Sequence, residues 1–272
     1  MRAGPVGVFD SGLGGLSVLQ ALRAELPQQD FIYIADSGHA PYGERDEAHV
    51  IARSRALAAW LLDHGVQALV VACNTATAAA VDVLRVEHPH LPIIGVEPAL
   101  KPAAALSKTR RIGVMATRGT LASARFQSLL ASLSTQAEFV LRPCDGLAEA
   151  IEQAAAGLLD ATELIAACAR HTGAMGRFGT GPGEIDTLVL GCTHYPFASD
   201  VLRSLLGPEV RFVDTGAPVA RQTRLRLHAL PAADTPSKTG QIRLFTTGQP
   251  LALQTAVRRW LALDIPAIRL EL

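Results

Sequence analysis

Buried-strand patterns alternate with helical patterns along almost the whole chain, and this alternation restricts the fold more than any other feature. Apolar runs rich in β-branched residues recur at 5–9, 31–35, 68–72, 92–96, 111–116, 187–191, 210–213 and 241–245. Longer segments with helical periodicity lie between them, and the one at 48–65 ends on His64 and Gly65, a typical helix stop. Because parallel strands are joined by crossover helices, this order predicts an α/β protein with parallel sheets covered by helices.

Size and composition exclude several classes of protein. The 272 residues can form one large domain or two small ones, and a hydrophobic fraction of 49% indicates a globular chain. The 25 basic and 25 acidic residues cancel, which argues against a general binder of nucleic acid or of membrane surfaces. Since no uncharged apolar run approaches the roughly 18 residues of a membrane span, and no signal-peptide core is present, we expect a cytoplasmic protein.

Four cysteines occur without the CxxC spacing of zinc or thioredoxin-like sites: Cys73, Cys144, Cys168 and Cys192. Disulfides are rare in a reducing compartment, so we expect free thiols. A free thiol is by default a small buried hydrophobic group, and this is our expectation for Cys168, in a helical pattern, and for Cys144. Cys73 and Cys192 differ because each directly follows an apolar strand.

Ligand sites of parallel sheets gather at the carboxyl ends of the strands. Four side chains of chemical interest follow predicted strands: Asp10, Thr117, Cys73 and Cys192. Glycines after Asp10, in DSGLGGLSVL, would let backbone N–H groups approach an anion at a helix N-terminus. The dinucleotide fingerprint needs a glycine where this chain has Ser17, and no GK[ST] phosphate loop exists. A small carboxylate therefore fits as well as a phosphate, and a tight turn without a ligand is the alternative.

Cys73 begins the sequence CNTAT at the predicted start of a helix over 75–88. Asn74 and Thr75 are favourable capping residues for that helix. A thiol at a helix N-terminus has its thiolate stabilised by the helix dipole, which lowers its pKa. The pattern thus predicts a reactive thiol, with a buried structural cysteine as the alternative.

The sequence Cys192-Thr193-His194 ends a second apolar strand. Histidine titrates near neutrality and can share a proton with a neighbouring group. Without further ligands, Cys-x-His is a poor signal for zinc. A Cys–His nucleophile pair is an alternative, although two positions along an extended chain do not ensure contact. In the turn-rich loop 36–46, Tyr42 and Gly43 offer a hydroxyl and an N–H group, or form a plain surface loop.

A faint internal repeat relates the two halves of the chain. Residues 7–11 can be laid over residues 113–117, and the two cysteine strands can be laid over each other. The repeat needs an insertion in the second half, for which the glycine-rich stretch 171–184 is a candidate that we interpret as a surface loop. If this is not a chance likeness, the two cysteines lie on equivalent edges of two similar domains, and a pocket between domains is a common ligand site.

Several motifs together resemble the glutamate racemases: FDSGLGGLSV at 9–18, PYGE at 41–44, CNTA at 73–76, GCTHYP at 191–196, VDTG at 213–216 and FTTG at 245–248. They occur in order over nearly the whole length. The resemblance implies two α/β domains related by a pseudo-twofold axis, with the active site in the cleft between them. The first domain would comprise 1–97 and 208–272, and the second would comprise 98–207.

The same resemblance implies roles for individual residues. Cys73 and Cys192 match the family's two catalytic acid/base groups. Asp10 and His194 match the groups that assist these thiols. Glu152 falls where the family often has a further assisting glutamate. Besides Asp10 and His194, the implied substrate contacts are Ser11, Tyr42, Gly43, Asn74, Thr75, Thr117 and Thr193. No metal, pyridoxal phosphate or nucleotide cofactor is implied.

The implied reaction is the interconversion of L-glutamate and D-glutamate for peptidoglycan synthesis, by a protein that is a homodimer. The Cα–H of an amino acid is a very weak acid, so racemisation needs one group to remove the proton and another to protonate the opposite face; thiols suit both tasks. The alternatives are a racemase of aspartate or another amino acid, and a partner-binding protein of the gyrase-inhibitor kind.

Overall fold

The computed structural model describes residues 4–230 and 239–272. Their strands are β1 (Val6–Asp10), β2 (Phe31–Ala35), β3 (Ala68–Val71), β4 (Ile93–Gly95), β5 (Arg111–Ala116), β6 (Glu138–Pro143), β7 (Thr187–Gly191), β8 (Arg211–Val213), β9 (Ile242–Thr246) and β10 (Ala267–Arg269). Their α-helices are α1 (Leu16–Glu25), α2 (Glu47–Asp63), α3 (Asn74–Glu87), α4 (Leu100–Leu106), α5 (Arg118–Ala122), α6 (Ala124–Ala131), α7 (Leu147–Ala155), α8 (Ala161–Gly173), α9 (Ser199–Leu206), α10 (Gly216–His228) and α11 (Pro250–Leu261). Short 3₁₀ helices span Ser37–His39, Tyr42–Glu44 and Tyr195–Ala198.

The chain divides into two units, one of which is discontinuous. Unit 1 comprises Met1–Val96 and Gly216–Leu272, and unit 2 comprises Glu97–Thr215. The chain returns to unit 1 at Gly216 rather than at the expected residue 208, because β8 pairs in parallel with β7 and so belongs to the sheet of unit 2.

Each unit is built on a parallel sheet, as the alternation of strands and helices predicts. The sheet of unit 1 has the order β10-β9-β2-β1-β3-β4, and that of unit 2 has the order β6-β5-β7-β8. All recorded strand pairs are parallel. The α/β fold class is therefore confirmed.

The strand order of unit 2 repeats that of part of unit 1. In β2-β1-β3-β4 and β6-β5-β7-β8 the first strand of each half lies between the second and the third. This places the turn after β1, with Ser11, in the same position as the turn after β5, with Thr117. It also makes the end of β3, with Cys73, equivalent to the end of β7, with Cys192. The matching order supports the prediction of two similar domains.

Apolar burial holds each sheet to its helices. The residues of β1, β2, β3 and β7 are all buried, as expected for strands covered on both faces. In unit 1, buried side chains of β2, β3, α2 and α3 form one core cluster. In unit 2, β5, α4 and α6 contribute to another. The packed interior thus fixes the ends of the strands, and it thereby also fixes where the turns that follow them begin.

Two strands were absent from the sequence prediction, β6 and β10. Both lie at the edge of a sheet, where half-exposed positions replace the continuous apolar run of a central strand. The stretch 171–184 was expected to be a loop, but α8 continues through Gly173 and buries His171 and Thr172. The turn that follows is tied back by a bridge between Phe178 and Ile185.

Among the described residues, no helix is both long and apolar enough to cross a membrane. In the same part of the chain, no group of three or more His, Cys, Asp or Glu side chains is arranged to hold a metal ion.

Candidate active site

Cys73 lies at the N-cap of α3, two residues beyond the end of β3, and is 5% exposed. Its Sγ accepts a hydrogen bond from the Ala76 N–H at 3.4 Å, and the thiol donates to the Ser11 Oγ at 3.5 Å. The expected capping residues Asn74 and Thr75 instead occupy the first helical turn. Because the cap is the sulfur itself, an N–H group and the helix dipole both favour its negative form.

Asp10 ends β1 and is fully buried. Its Oδ2 accepts hydrogen bonds from the Gly12 N–H at 3.2 Å and the Gly15 N–H at 3.0 Å. The Tyr33 hydroxyl donates to the Gly12 carbonyl at 3.1 Å on the same turn. The carboxylate therefore shapes the glycine-rich turn that carries Ser11 towards Cys73.

Asn74 follows Cys73 and is 5% exposed. Its Nδ2 donates to the Val96 carbonyl at 3.4 Å, whereas its Oδ1 is buried and has no hydrogen-bond partner. A buried polar atom without a partner is costly, so the Asn74 Oδ1 is available to accept a hydrogen bond from a ligand beside Cys73.

Tyr42 is buried, and its hydroxyl is already engaged. It donates to Asp36 Oδ2 at 2.5 Å, and both carboxylate oxygens of Asp36 also accept from the Arg53 guanidinium at 3.0 Å. Burial, together with the charge of Asp36, raises the pKa of the Tyr42 hydroxyl. The backbone N–H groups of Tyr42 and Gly43 are available to a ligand, because the first N–H groups of a helical turn have no partner within the helix.

In unit 2, Cys192 follows β7 and is 7% exposed. Its Sγ lies 3.6 Å from the His194 Nδ1, and the His194 Nε2 lies 2.6 Å from the Glu152 Oε1. Sulfur, imidazole and carboxylate thus form a chain in which a proton can be shared. Local backbone turning after β7 brings Cys192 and His194 within reach, and α7 supplies Glu152.

The electrostatics of the Cys192–His194–Glu152 series favour a protonated imidazole. Burial by itself would lower the pKa of His194, but the hydrogen bonds and charges of Cys192 and Glu152 outweigh it and hold that pKa well above its usual value. His194 is 5% exposed, so its charged form depends on these partners rather than on water. The protonated His194 therefore lies within 3.6 Å of the Cys192 Sγ, where it can donate a proton to the sulfur.

The remaining expected site residues of unit 2 lie at the same sheet edge. Thr193 stands between Cys192 and His194 and is buried. Thr117 follows β5, the neighbour of β7. The Thr117 hydroxyl accepts from the Thr120 N–H at 3.2 Å, so it caps α5.

The other two cysteines have a different environment. Burial raises the pKa of the Cys144 thiol to about 12 and that of the Cys168 thiol to about 11. Both thiols therefore stay protonated near neutrality, in agreement with the prediction of small buried hydrophobic groups.

Sequence reasoning missed Asp36. It is fully buried, and besides Tyr42 and Arg53 it accepts a hydrogen bond from the Thr247 hydroxyl at 2.8 Å. Its position at the end of β2, the neighbour of β1, was the signal that could have found it, because acidic residues at strand ends were already of interest.

Comparison with known proteins identifies the family. The Asp/Glu/Hydantoin racemase family matches residues 16–223. A glutamate racemase of Cupriavidus pinatubonensis is 48% identical over 243 residues, which cover 89% of this chain and 86% of that protein. The chain belongs to the Asp/Glu/hydantoin racemase family.

Solved structures of racemases have the same fold. A glutamate racemase isoform of Bacillus anthracis is 29% identical, with a TM-score of 0.86, and the match covers 100% of this chain and 99% of that one. Escherichia coli glutamate racemase, solved in complex with L-glutamate and the activator UDP-MurNAc-ala, is 31% identical, with a TM-score of 0.85 and 98% of both chains covered. The full-length match shows that this racemase has both of the family's α/β units.

Proposed function

We propose that this racemase interconverts L-glutamate and D-glutamate without a cofactor, by moving protons between the substrate and the thiols of Cys73 and Cys192. The observation that carries the proposal is that each unit ends an equivalent buried strand on a thiol that already has a partner for its charge or proton. Relatives named glutamate racemase, 45–48% identical over most of the chain, support glutamate as the substrate.

In the proposed reaction, one cysteine thiolate removes the Cα proton and the other cysteine thiol protonates the opposite face of the carbanion. One C–H bond breaks and one forms, so the substrate loses one proton to the first thiolate and gains another from the second thiol, which is left as a thiolate. Starting from the other enantiomer, the two cysteines exchange roles. Holding the α-carbon between two such groups supplies the positioning that a weak carbon acid requires.

The neighbours of each thiol have corresponding tasks in this scheme. At Cys73, the Ala76 N–H and the helix dipole stabilise the thiolate. At Cys192, His194 accepts or returns the proton, with Glu152 holding the imidazole in place. We assign the substrate ammonium group to the vacant acceptor of Asn74. We assign the substrate carboxylates to the backbone N–H groups of Tyr42 and Gly43 and to the hydroxyl or N–H groups of Ser11, Thr75, Thr117 and Thr193. Asp10 fixes the turn that carries Ser11.

Deuterium incorporation tests the two-thiol scheme. Purified protein is incubated with L-glutamate in deuterated water, and product and residual substrate are separated at low conversion. We expect D-glutamate to carry deuterium at Cα while the remaining L-glutamate keeps hydrogen, because the donating thiol has exchanged with solvent and the accepting thiol has not returned its proton. Early label in the recovered L-glutamate would indicate a single shared base and overturn the scheme.

Substrate choice is tested with the same protein and circular dichroism. We expect aspartate to be racemised much less efficiently than glutamate, because a site that binds both carboxylates leaves polar groups unpaired around a shorter diacid, at about 1–3 kcal/mol per buried group. Equal efficiency with aspartate would contradict the assignment of glutamate.

The cellular role that we propose is the supply of D-glutamate for peptidoglycan. We place the protein in the cytoplasm, where free thiols stay reduced. The homodimer stays a prediction from the family resemblance, and light scattering of the purified protein would test it.

A further inference from the structure

Thr77 joins three segments of unit 1 directly behind the Cys73 motif. It is 1% exposed and lies one turn into α3. Its hydroxyl donates to the Val71 carbonyl at 3.2 Å, at the end of β3, and accepts from the Val96 N–H at 2.9 Å, just past β4. Both hydrogen-bonding capacities that a threonine hydroxyl normally uses are therefore taken up by backbone.

The peptide groups of Val96 link Thr77 to Asn74. The Val96 N–H binds the Thr77 hydroxyl, and the Val96 carbonyl accepts from the Asn74 side chain at 3.4 Å. A carbonyl only accepts hydrogen bonds, so the amide atom that faces it is the nitrogen. This contact determines the orientation of the Asn74 amide and turns its Oδ1 away from Val96, where that atom is buried without a partner.

Packing around Thr77 is close enough to keep this arrangement in place. A Cβ added to Gly95 would lie 2.6 Å from the Thr77 Cγ2, so β4 approaches α3 as nearly as a glycine permits. Val96 itself is 1% exposed. The two hydrogen bonds of the Thr77 hydroxyl therefore act in a closely packed, buried environment.

We infer that Thr77 is a positioning residue for substrate binding: through the Val96 peptide it orients the Asn74 amide so that Oδ1 faces the substrate ammonium group. This inference rests on the proposed function, which supplies the amino-acid substrate. It adds a residue outside the binding surface that determines how well the ammonium group is recognised. Loss of the Thr77 hydroxyl releases Val96 and lets the amide rotate.

The test is a set of threonine variants in the full-length protein. Thr77→Val keeps the branched shape and removes the hydroxyl, and we expect it to raise KM for both glutamate enantiomers about tenfold, the scale of one lost hydrogen bond to a charged group, with a smaller change in kcat. Thr77→Ser keeps the hydroxyl, and we expect its KM to return close to the wild-type value. As a control, Thr223→Val removes another buried hydroxyl of unit 1, which donates to the Val219 carbonyl at 2.9 Å within α10, and should leave KM unchanged.

A double-mutant cycle with Asn74→Ala decides whether Thr77 acts through Asn74. If it does, Thr77→Val lowers kcat/KM in the wild-type background and has almost no further effect once the Asn74 amide is gone. Equal effects in both backgrounds, or a Thr77→Val protein that has a reduced Tm with an unchanged KM, would reduce Thr77 to a structural role and overturn the inference. The wild-type deuterium experiment is independent of these variants, so failure of this inference is distinguishable from failure of the proposed function.

Discussion

At the scale of single residues, the four cysteines lie in different surroundings. Burial raises the pKa of the Cys144 and Cys168 thiols, and at Cys144 it outweighs the opposing charge of Arg142. Cys73 instead caps a helix, and Cys192 lies against an imidazole that has a raised pKa. The helix N-terminus at Cys73 favours a thiolate, whereas burial dominates the surroundings of Cys144 and Cys168.

Replacement of Glu152 with Gln should change the pH dependence of the racemase. The Glu152 carboxylate favours the cationic form of His194, so replacing that carboxylate with a neutral amide should lower the pKa of His194. The Cys192–His194 pair then loses its shared proton at a lower pH, and we expect the basic limb of the kcat/KM profile to move to lower pH. Glu149→Gln is the matched control, because Glu149 lies on the exposed side of α7, bonded to Gln153. An unchanged basic limb in the Glu152 variant would remove Glu152 from the proton chain.

At the scale of elements, the junctions between strands and helices carry the candidate chemistry. The turn from β1 to α1 is wrapped around the Asp10 carboxylate, and the turn from β3 to α3 is capped by Cys73. In unit 2, β7 leads through a 3₁₀ helix into α9, and the bend between them aligns Cys192 with His194. Buried strands keep these junctions rigid, so small changes in a turn should affect both stability and activity.

Gly15→Ala should test the close packing of the first turn. An added Cβ would lie 2.6 Å from the Asp10 Cβ and 3.0 Å from the Tyr33 hydroxyl oxygen, so the turn must shift. We expect a loss of about 1–3 kcal/mol in the free energy of unfolding, together with a marked loss of activity as Ser11 moves. In Gly173→Ala, at the end of α8, the added methyl group meets nothing within 4 Å, and helix propensity should stabilise the protein by up to about 1 kcal/mol. Chemical denaturation of both variants measures the contrast, and equal stabilities would contradict this description of the turn.

At the scale of the whole molecule, the chain repeats one strand order in two units and uses each copy differently. The thiol of unit 1 is served by a helix N-terminus, and that of unit 2 by a histidine–glutamate pair. The neighbours of the two sulfurs therefore differ, although each sulfur follows the third strand of its half of the repeated order. Different environments suit a reaction in which one thiol must be charged when the other is protonated.

Cysteine replacement should show that both units are needed. We expect Cys73→Ala and Cys192→Ala each to abolish racemisation from L-glutamate and from D-glutamate, because each direction requires one thiol to remove a proton and the other to supply one. Cys168→Ala should keep the activity and reduce stability by about 1 kcal/mol, the cost of a small buried group. Circular dichroism at equal protein concentration, with thermal unfolding to verify the fold, measures all three, and an active Cys192→Ala protein would refute the two-thiol reaction.

Features that depend on local pattern could be predicted from the amino-acid sequence. Apolar β-branched runs separated by helical segments have few ways to bury their surfaces, so the α/β class and the parallel sheets could be predicted from periodicity and order. The placement of polar and thiol side chains directly after strands could also be predicted, because parallel strands bring their carboxyl ends to one edge. Edge strands escaped the same reasoning, since β6 and β10 bury too little of their surface to leave a continuous apolar run.

The partners of those side chains depend on tertiary packing and could not be predicted from local pattern. His194 meets Glu152 from 42 positions away, and Asp36 meets the Thr247 hydroxyl from 211 positions away. A helical pattern indicates which face of α7 is buried, but the carboxylate that comes within 2.6 Å of a ring nitrogen depends on how the helix is rotated and packed. The strength of a hydrogen bond changes when the donor–acceptor distance changes by tenths of an ångström. Donor–acceptor distances are set that accurately only when the core packs, because packing fixes the side-chain rotamers together.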